Sequence, residues 1–86
     1  MDRQQMNLEL VQVLQEWDPF GWGKEAYETE IADCIMAVSD IDDVQLLAKK
    51  VQDIYEFSFE QEISMKECLA VSQKLLSIKN NASCSF

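Results

Sequence analysis

The only proline, Pro19, and both glycines, Gly21 and Gly23, fall inside residues 17–23 of this 86-residue chain, and the sequence on either side carries almost no residue type that breaks a helix. The backbone therefore has to stop, turn and restart within Trp17-Asp18-Pro19-Phe20-Gly21-Trp22-Gly23, while the flanks are free to form helices. The same bend is rich in rings. Trp17, Phe20 and Trp22, with Tyr27 just beyond, are four of the eight aromatic residues, and Tyr55, Phe57 and Phe59 form a second group far along the chain.

Periodicity gives four helices. The first is predicted over about residues 3–16, with Met6, Leu10, Val13, Leu14 and Trp17 on one face and Asp2 as its N-cap. It ends at or before Asp18, because a following proline disfavours helical geometry. Leu8 and Val11 lie off that face. The second helix starts near Lys24 or Glu25 and runs to about Val38, burying Tyr27, Ile31, Cys34, Ile35 and Val38 and turning Met36 outward. The third is capped by Asp40, with Asp43 at its third position, and buries Val44, Leu47, Ala48, Val51, Ile54 and Tyr55 up to about Ser58. Leu46 and Phe57 lie on another of its faces. The fourth opens on a capping box, Ser64-Met65-Lys66-Glu67, with Ile63 as a staple onto Cys68, and continues to about Ile78.

Short connections force four such helices to alternate in direction. The fold class is therefore all-α: a small antiparallel four-helix bundle with an aromatic loop between helices 1 and 2. The expected organisation is one domain over residues 1–79 and a frayed tail over 80–86. Alternation brings the bend and the end of the third helix to the same pole, so Trp17, Phe20 and Trp22 are predicted to touch Tyr55 or Phe59 and close it. Glu30, at the border of the second helix's buried stripe, is a candidate polar anchor that accepts a hydrogen bond from an indole or a loop N–H.

Here the residues carry a resemblance. Trp17-Asp18-Pro19-Phe20-Gly21, Tyr27-Glu28-Thr29-Glu30-Ile31 and Ile54-Tyr55-Glu56-Phe57-Ser58-Phe59-Glu60 make the chain similar to the YugE-like family of small Bacillus proteins, a domain of unknown function. The resemblance implies an all-helical cytosolic protein of a Bacillus relative and brings no catalytic or binding residue with it.

The charge belongs to one half of the chain. Between residues 4 and 43 ten acids stand against Lys24 alone, and from residue 44 onward five acids balance five lysines, which leaves the net charge of −9 in the first half. Such a field repels nucleic acid and anionic membrane and favours a basic protein surface or a cation. With no histidine the usual general base and metal ligand are missing, and three cysteines without a CxxC spacing give neither a zinc site nor a disulfide framework. Cys34 and Cys68 fall on buried stripes, and Cys84 is in the tail.

No enzyme and no cofactor are expected. The expected function is that of a small acidic cytoplasmic interaction module, either self-associating or binding a basic partner, with Leu8, Val11, Met36, Leu46 and Phe57 as the candidate surface. In size and charge alone it is similar to the immunity proteins that neutralise bacterial nucleases. The alternative is weak divalent-cation binding by surface carboxylates, with Glu25, Glu28 and Asp33 the nearest set.

Overall fold

The computed structural model describes residues 3–83. Four α-helices follow one another: α1 (Arg3–Trp17), α2 (Glu28–Asp40), α3 (Val44–Phe59) and α4 (Met65–Ser83), with a single 3₁₀ turn over Lys24–Tyr27 leading into α2. Each helix packs on its neighbours in the order α1, α2, α3, α4 and back to α1, and α2 also approaches α4 across the short diagonal. The α1–α4 and α2–α3 grooves therefore lie on opposite sides of the bundle.

The core takes one stripe from each helix. Leu10 and Leu14 of α1 meet Ile31, Cys34 and Val38 of α2, Leu47, Val51 and Tyr55 of α3, and Cys68, Val71 and Leu75 of α4, all buried. Met6, Val13, Trp17, Ile35, Val44 and Ile54 are half-buried against them. Side chains at the expected helical steps thus supply nearly the whole interior. Ile63 plugs the core from the α3–α4 connection, its carbonyl accepting from Gln52 Nε2 at 2.9 Å and its N–H donating to Glu56 Oε2 at 3.2 Å. Among the described residues no helix is long and apolar enough to cross a membrane.

Several boundaries differ from the expectation. Asp43, not Asp40, is the N-cap of α3: its Oδ1 accepts from the N–H groups of Gln45 and Leu46 at 2.8 and 3.0 Å. Asp40 instead closes α2, whose last turn is stopped when extended Ile41 donates its N–H to the Ala37 carbonyl. Ile41 leans on the core, so the chain stays extended there and the cap of α3 falls three residues beyond Asp40. The capping box of α4 is half formed: the Glu67 N–H donates to Ser64 Oγ at 3.2 Å, with no return bond from the Glu67 side chain among the described residues. α4 runs past Ile78 through Ser83, so residues 80–83 of the expected frayed tail are helical. Asp2, expected as a cap, and Cys84 with the rest of the tail lie outside the described residues.

One long contact fastens the pole opposite the aromatic bend. Lys79 of α4 reaches across to the end of α2, its Nζ 2.7 Å from the Val38 carbonyl oxygen, 3.4 Å from that of Ser39 and 2.7 Å from Asp42 Oδ1. It satisfies carbonyls at the end of α2 that have no helical partner of their own. The Lys79→Met variant keeps the packing stem and loses these bonds. It is expected to lower unfolding stability by about 1–2 kcal/mol in urea titration, whereas Leu75→Ala, which opens a cavity in the core, is expected to cost about 3 kcal/mol.

Candidate functional site

The bend after α1 is held by one carboxylate. Asp18 takes a left-handed conformation (φ 34°), which aspartate tolerates better than most residues. Its carbonyl accepts the Gly21 N–H at 3.2 Å and closes a turn. Its Oδ1 then accepts the Trp22 N–H at 2.9 Å, and its Oδ2 accepts the Gly23 N–H at 3.1 Å. Buried Tyr27 completes the knot, donating its hydroxyl to Asp18 Oδ1 at 2.5 Å while the phenolic oxygen accepts the Phe20 N–H at 3.2 Å. Gly21 (φ 72°) and Gly23 (φ 96°, ψ 155°) lie where a side chain strains the backbone, so both glycines are conformational requirements of the turn.

These bonds set the electrostatics of the bend. The Tyr27 hydroxyl, followed by the N–H groups of Gly23, Trp22 and Gly21, holds the Asp18 carboxyl below its ordinary value of 3.8 against a smaller effect of burial. Burial first, and the Asp18 bond second, push the Tyr27 hydroxyl up.

The rings close over the knot. Trp17 meets Tyr55 edge-on with centroids 5.1 Å apart, Phe20 meets Phe59 at 5.5 Å and Trp22 meets Phe59 at 5.2 Å. Tyr27 bridges the two groups, 5.7 Å from Tyr55 and 5.5 Å from Phe59. The shared pole required by helix alternation is thus present, with Trp22 left half out of the protein at 48 % exposure.

Glu30 is buried, and its side chain makes no hydrogen bond to the loop among the described residues. The anchor role expected for it belongs to Asp18. Sequence reasoning used Asp18 only as the residue before a proline. The signal for its role was an aspartate at the head of a Pro-Phe-Gly-Trp-Gly turn, where a side-chain acceptor sits within reach of N–H groups a few residues on.

The candidate surface residues divide between two faces. Met36 at 67 %, Leu46 at 64 % and Phe57 at 88 % exposure lie on the outer side of α2 and α3. Two adjoining shallow depressions, lined by Met36 and Phe57 respectively, lie between α2 and α3, with Ala37 and Ile54 in their floor and Asp33, Asp40, Lys50 and Asp53 at their rim. Leu46 lies one turn before Lys50 on the same strip of α3. Leu8, 65 % exposed, stands apart on α1, and Val11 is half-buried against the core and not free as expected. The groove between α1 and α4 is walled by Trp17 and has Glu16, Glu67 and Lys74 at its edge.

The described residues bring no group of three or more Asp, Glu, Cys or His together as a metal site, so Glu25, Glu28 and Asp33 do not converge. Burial pushes the thiols of Cys34 and Cys68 up to about 12 and about 11, which leaves them as inert core residues.

Residues 9–85 match the family described as Domain of unknown function (DUF1871). The chain is 47 % identical over 77 residues to the "Uncharacterized protein YugE" of Bacillus subtilis (strain 168), covering 90 % of each chain. A crystal structure of APC36109 from Bacillus stearothermophilus has the same fold, with a TM-score of 0.89 and 42 % identity over 92 % of this chain and 98 % of that one.

Because the knot lowers the folded-state pKa of Asp18, the unfolded chain takes up the proton first as pH falls. Asp18 therefore contributes stability that is complete above 3.8 and disappears as pH drops through its lower folded value. Asp18→Asn is expected to flatten the acid limb of the stability curve and to red-shift Trp22 fluorescence at neutral pH. Tyr27→Phe, which removes both hydroxyl bonds, is expected to cost about 1–2 kcal/mol in denaturant titration. Cys34 and Cys68 are expected to resist alkylation at about pH 8 until the protein is unfolded, as peptide mass mapping will record.

Proposed function

The chain belongs to the family described as Domain of unknown function (DUF1871), and from that premise we propose that it is a non-enzymatic protein-interaction module of the cytoplasm whose docking surface is the outer α2–α3 face. One observation carries this reading: Met36, Leu46 and Phe57 are large apolar side chains exposed on α2 and α3, and Met36 and Phe57 line adjoining depressions between those helices. Single exposed apolar residues are ordinary, whereas several on one face with a polar rim are the usual mark of a protein contact. Inert chemistry supports the non-enzymatic part. The sequence has no histidine, and the Cys34 and Cys68 thiols are buried with raised pKa values.

The rigid frame supports it as well. α2 is held at one end by the Asp18–Tyr27 knot and at the other by Lys79, so the face meets a partner with little loss of conformational freedom. A photo-crosslinking residue placed at position 36 or 57 in a Bacillus host is expected to yield a discrete protein adduct. The exposed control positions 61 and 73 are expected to yield none, and equal adducts at all four positions, or none anywhere, would count against the assignment.

A further inference from the structure

We infer that the α2–α3 groove receives a cationic amphipathic helix of a protein partner, an inference that rests on reading this face as the docking surface. Two depressions that share Asp33, Lys50 and Ile54 in their linings adjoin along this face, from Met36 and Asp40 at one end to Phe57 and Ser58 at the other. Along α3, Lys50 to Ser58 spans about 12 Å, roughly two helical turns. An apolar stripe at i, i+4 and i+7 of a docked helix covers about the same length. The walls are helices, whose backbone groups are already bonded internally. An extended peptide would find no N–H or C=O to pair with its own there, whereas a helix brings its backbone satisfied. Small Ala37 in the floor leaves room for an incoming side chain.

The charge of the partner follows from what the acids of the first half are doing. Asp18 holds the bend, Asp42 pairs with Lys79, and Asp43 caps α3. Asp33 and Asp40 make no hydrogen bond or ion pair among the described residues, and both stand at the groove rim beside Met36. Of the other rim charges, Asp53 is 3.3 Å from Lys49, and Lys50 is the one base lining the groove among the described residues. The rim is therefore net negative around an apolar floor, which favours lysine or arginine flanking an apolar stripe. A second copy carries the same net-negative rim, so self-docking is the weaker use of this face.

The test titrates the purified protein with a synthetic leucine–lysine amphipathic helix and with the same peptide carrying glutamate for lysine. Amide shift mapping locates the contact, calorimetry gives the affinity, and sedimentation velocity gives the state of the protein alone. The lysine peptide is expected to shift Met36, Ile54 and Phe57. Its affinity is expected to fall about tenfold or more in the Asp33→Lys, Asp40→Lys double variant and in Phe57→Ser, and to fall again as salt rises. All three substitutions are at exposed positions, and circular dichroism verifies that the helices persist. No binding, equal binding of the glutamate peptide, shifts confined to the α1–α4 groove, or an affinity untouched by the charge reversal overturns the inference. A dimer of the protein alone that Phe57→Ser dissolves also overturns it, while leaving the α2–α3 face standing as an interface. Absence of peptide binding, of a dimer and of any crosslink at positions 36 and 57 removes both.

Discussion

The bond between the Tyr27 hydroxyl and Asp18 is the contact on which the rest of the bundle depends. A chain reversal built on Pro19 and two glycines leaves several N–H groups without helical partners, and unsatisfied groups near the core are costly. Asp18 takes those of Trp22 and Gly23, and Tyr27 takes that of Phe20. The ring of the same tyrosine is buried among Phe20, Trp22, Tyr55 and Phe59. One residue thus belongs both to the polar knot that fixes the bend and to the aromatic layer that seals the pole, so the angle at which α2 leaves the loop and the packing of α3 beneath it are set together. In a chain of 86 residues, near the size at which a single core is barely sufficient, ring burial of this kind makes up a substantial part of the stabilisation.

The two poles are closed by different chemistry. At the bend, rings and a carboxylate do the work. At the other end, the Lys79 ammonium gathers the carbonyls of Val38 and Ser39 and the carboxylate of Asp42, tying α4 to the turn between α2 and α3. Since α2 is fastened at both ends, and α3 begins at an Asp43 cap and ends at left-handed Glu60, the outer α2–α3 surface is a fixed shape. Apolar residues on a backbone held in this way add contact area to a partner at the cost of ordering their side chains alone.

The stripes and the meeting of distant rings were legible because both follow from helical period and from the alternation that short connections impose. Leu10, Leu14, Cys34, Leu47, Val51, Tyr55 and Cys68 all lie where that period puts them. What periodicity does not carry is the choice among acids. Asp40 and Asp43 are equally good caps by type. The choice was made by Ile41, which leaves the helix to reach the core and so moves the start of α3 beyond it. Glu30 and Asp18 were likewise equal as acceptors until the left-handed turn at Asp18 curled the loop N–H groups back over its own side chain. Val11 shows the same limit from the apolar side, since its half-burial depends on how closely a neighbouring helix approaches and not on its angle on α1.

The placement of the acids also limits what an exposed apolar face can associate with. A net charge of −9 confined to residues 4–43 gives every copy of the chain the same strongly negative half. At distances beyond contact, like fields weaken the nonspecific association that Met36, Leu46 and Phe57 would otherwise invite. The same field draws in a surface of opposite sign. On the proposed reading, acids with structural tasks and acids without them therefore play separate parts: Asp18, Asp42 and Asp43 hold the backbone, while Asp33 and Asp40 select by charge what reaches the groove. Desolvating Met36 and Phe57 then supplies the short-range attraction, and it acts only on an occupant that the charge has already admitted.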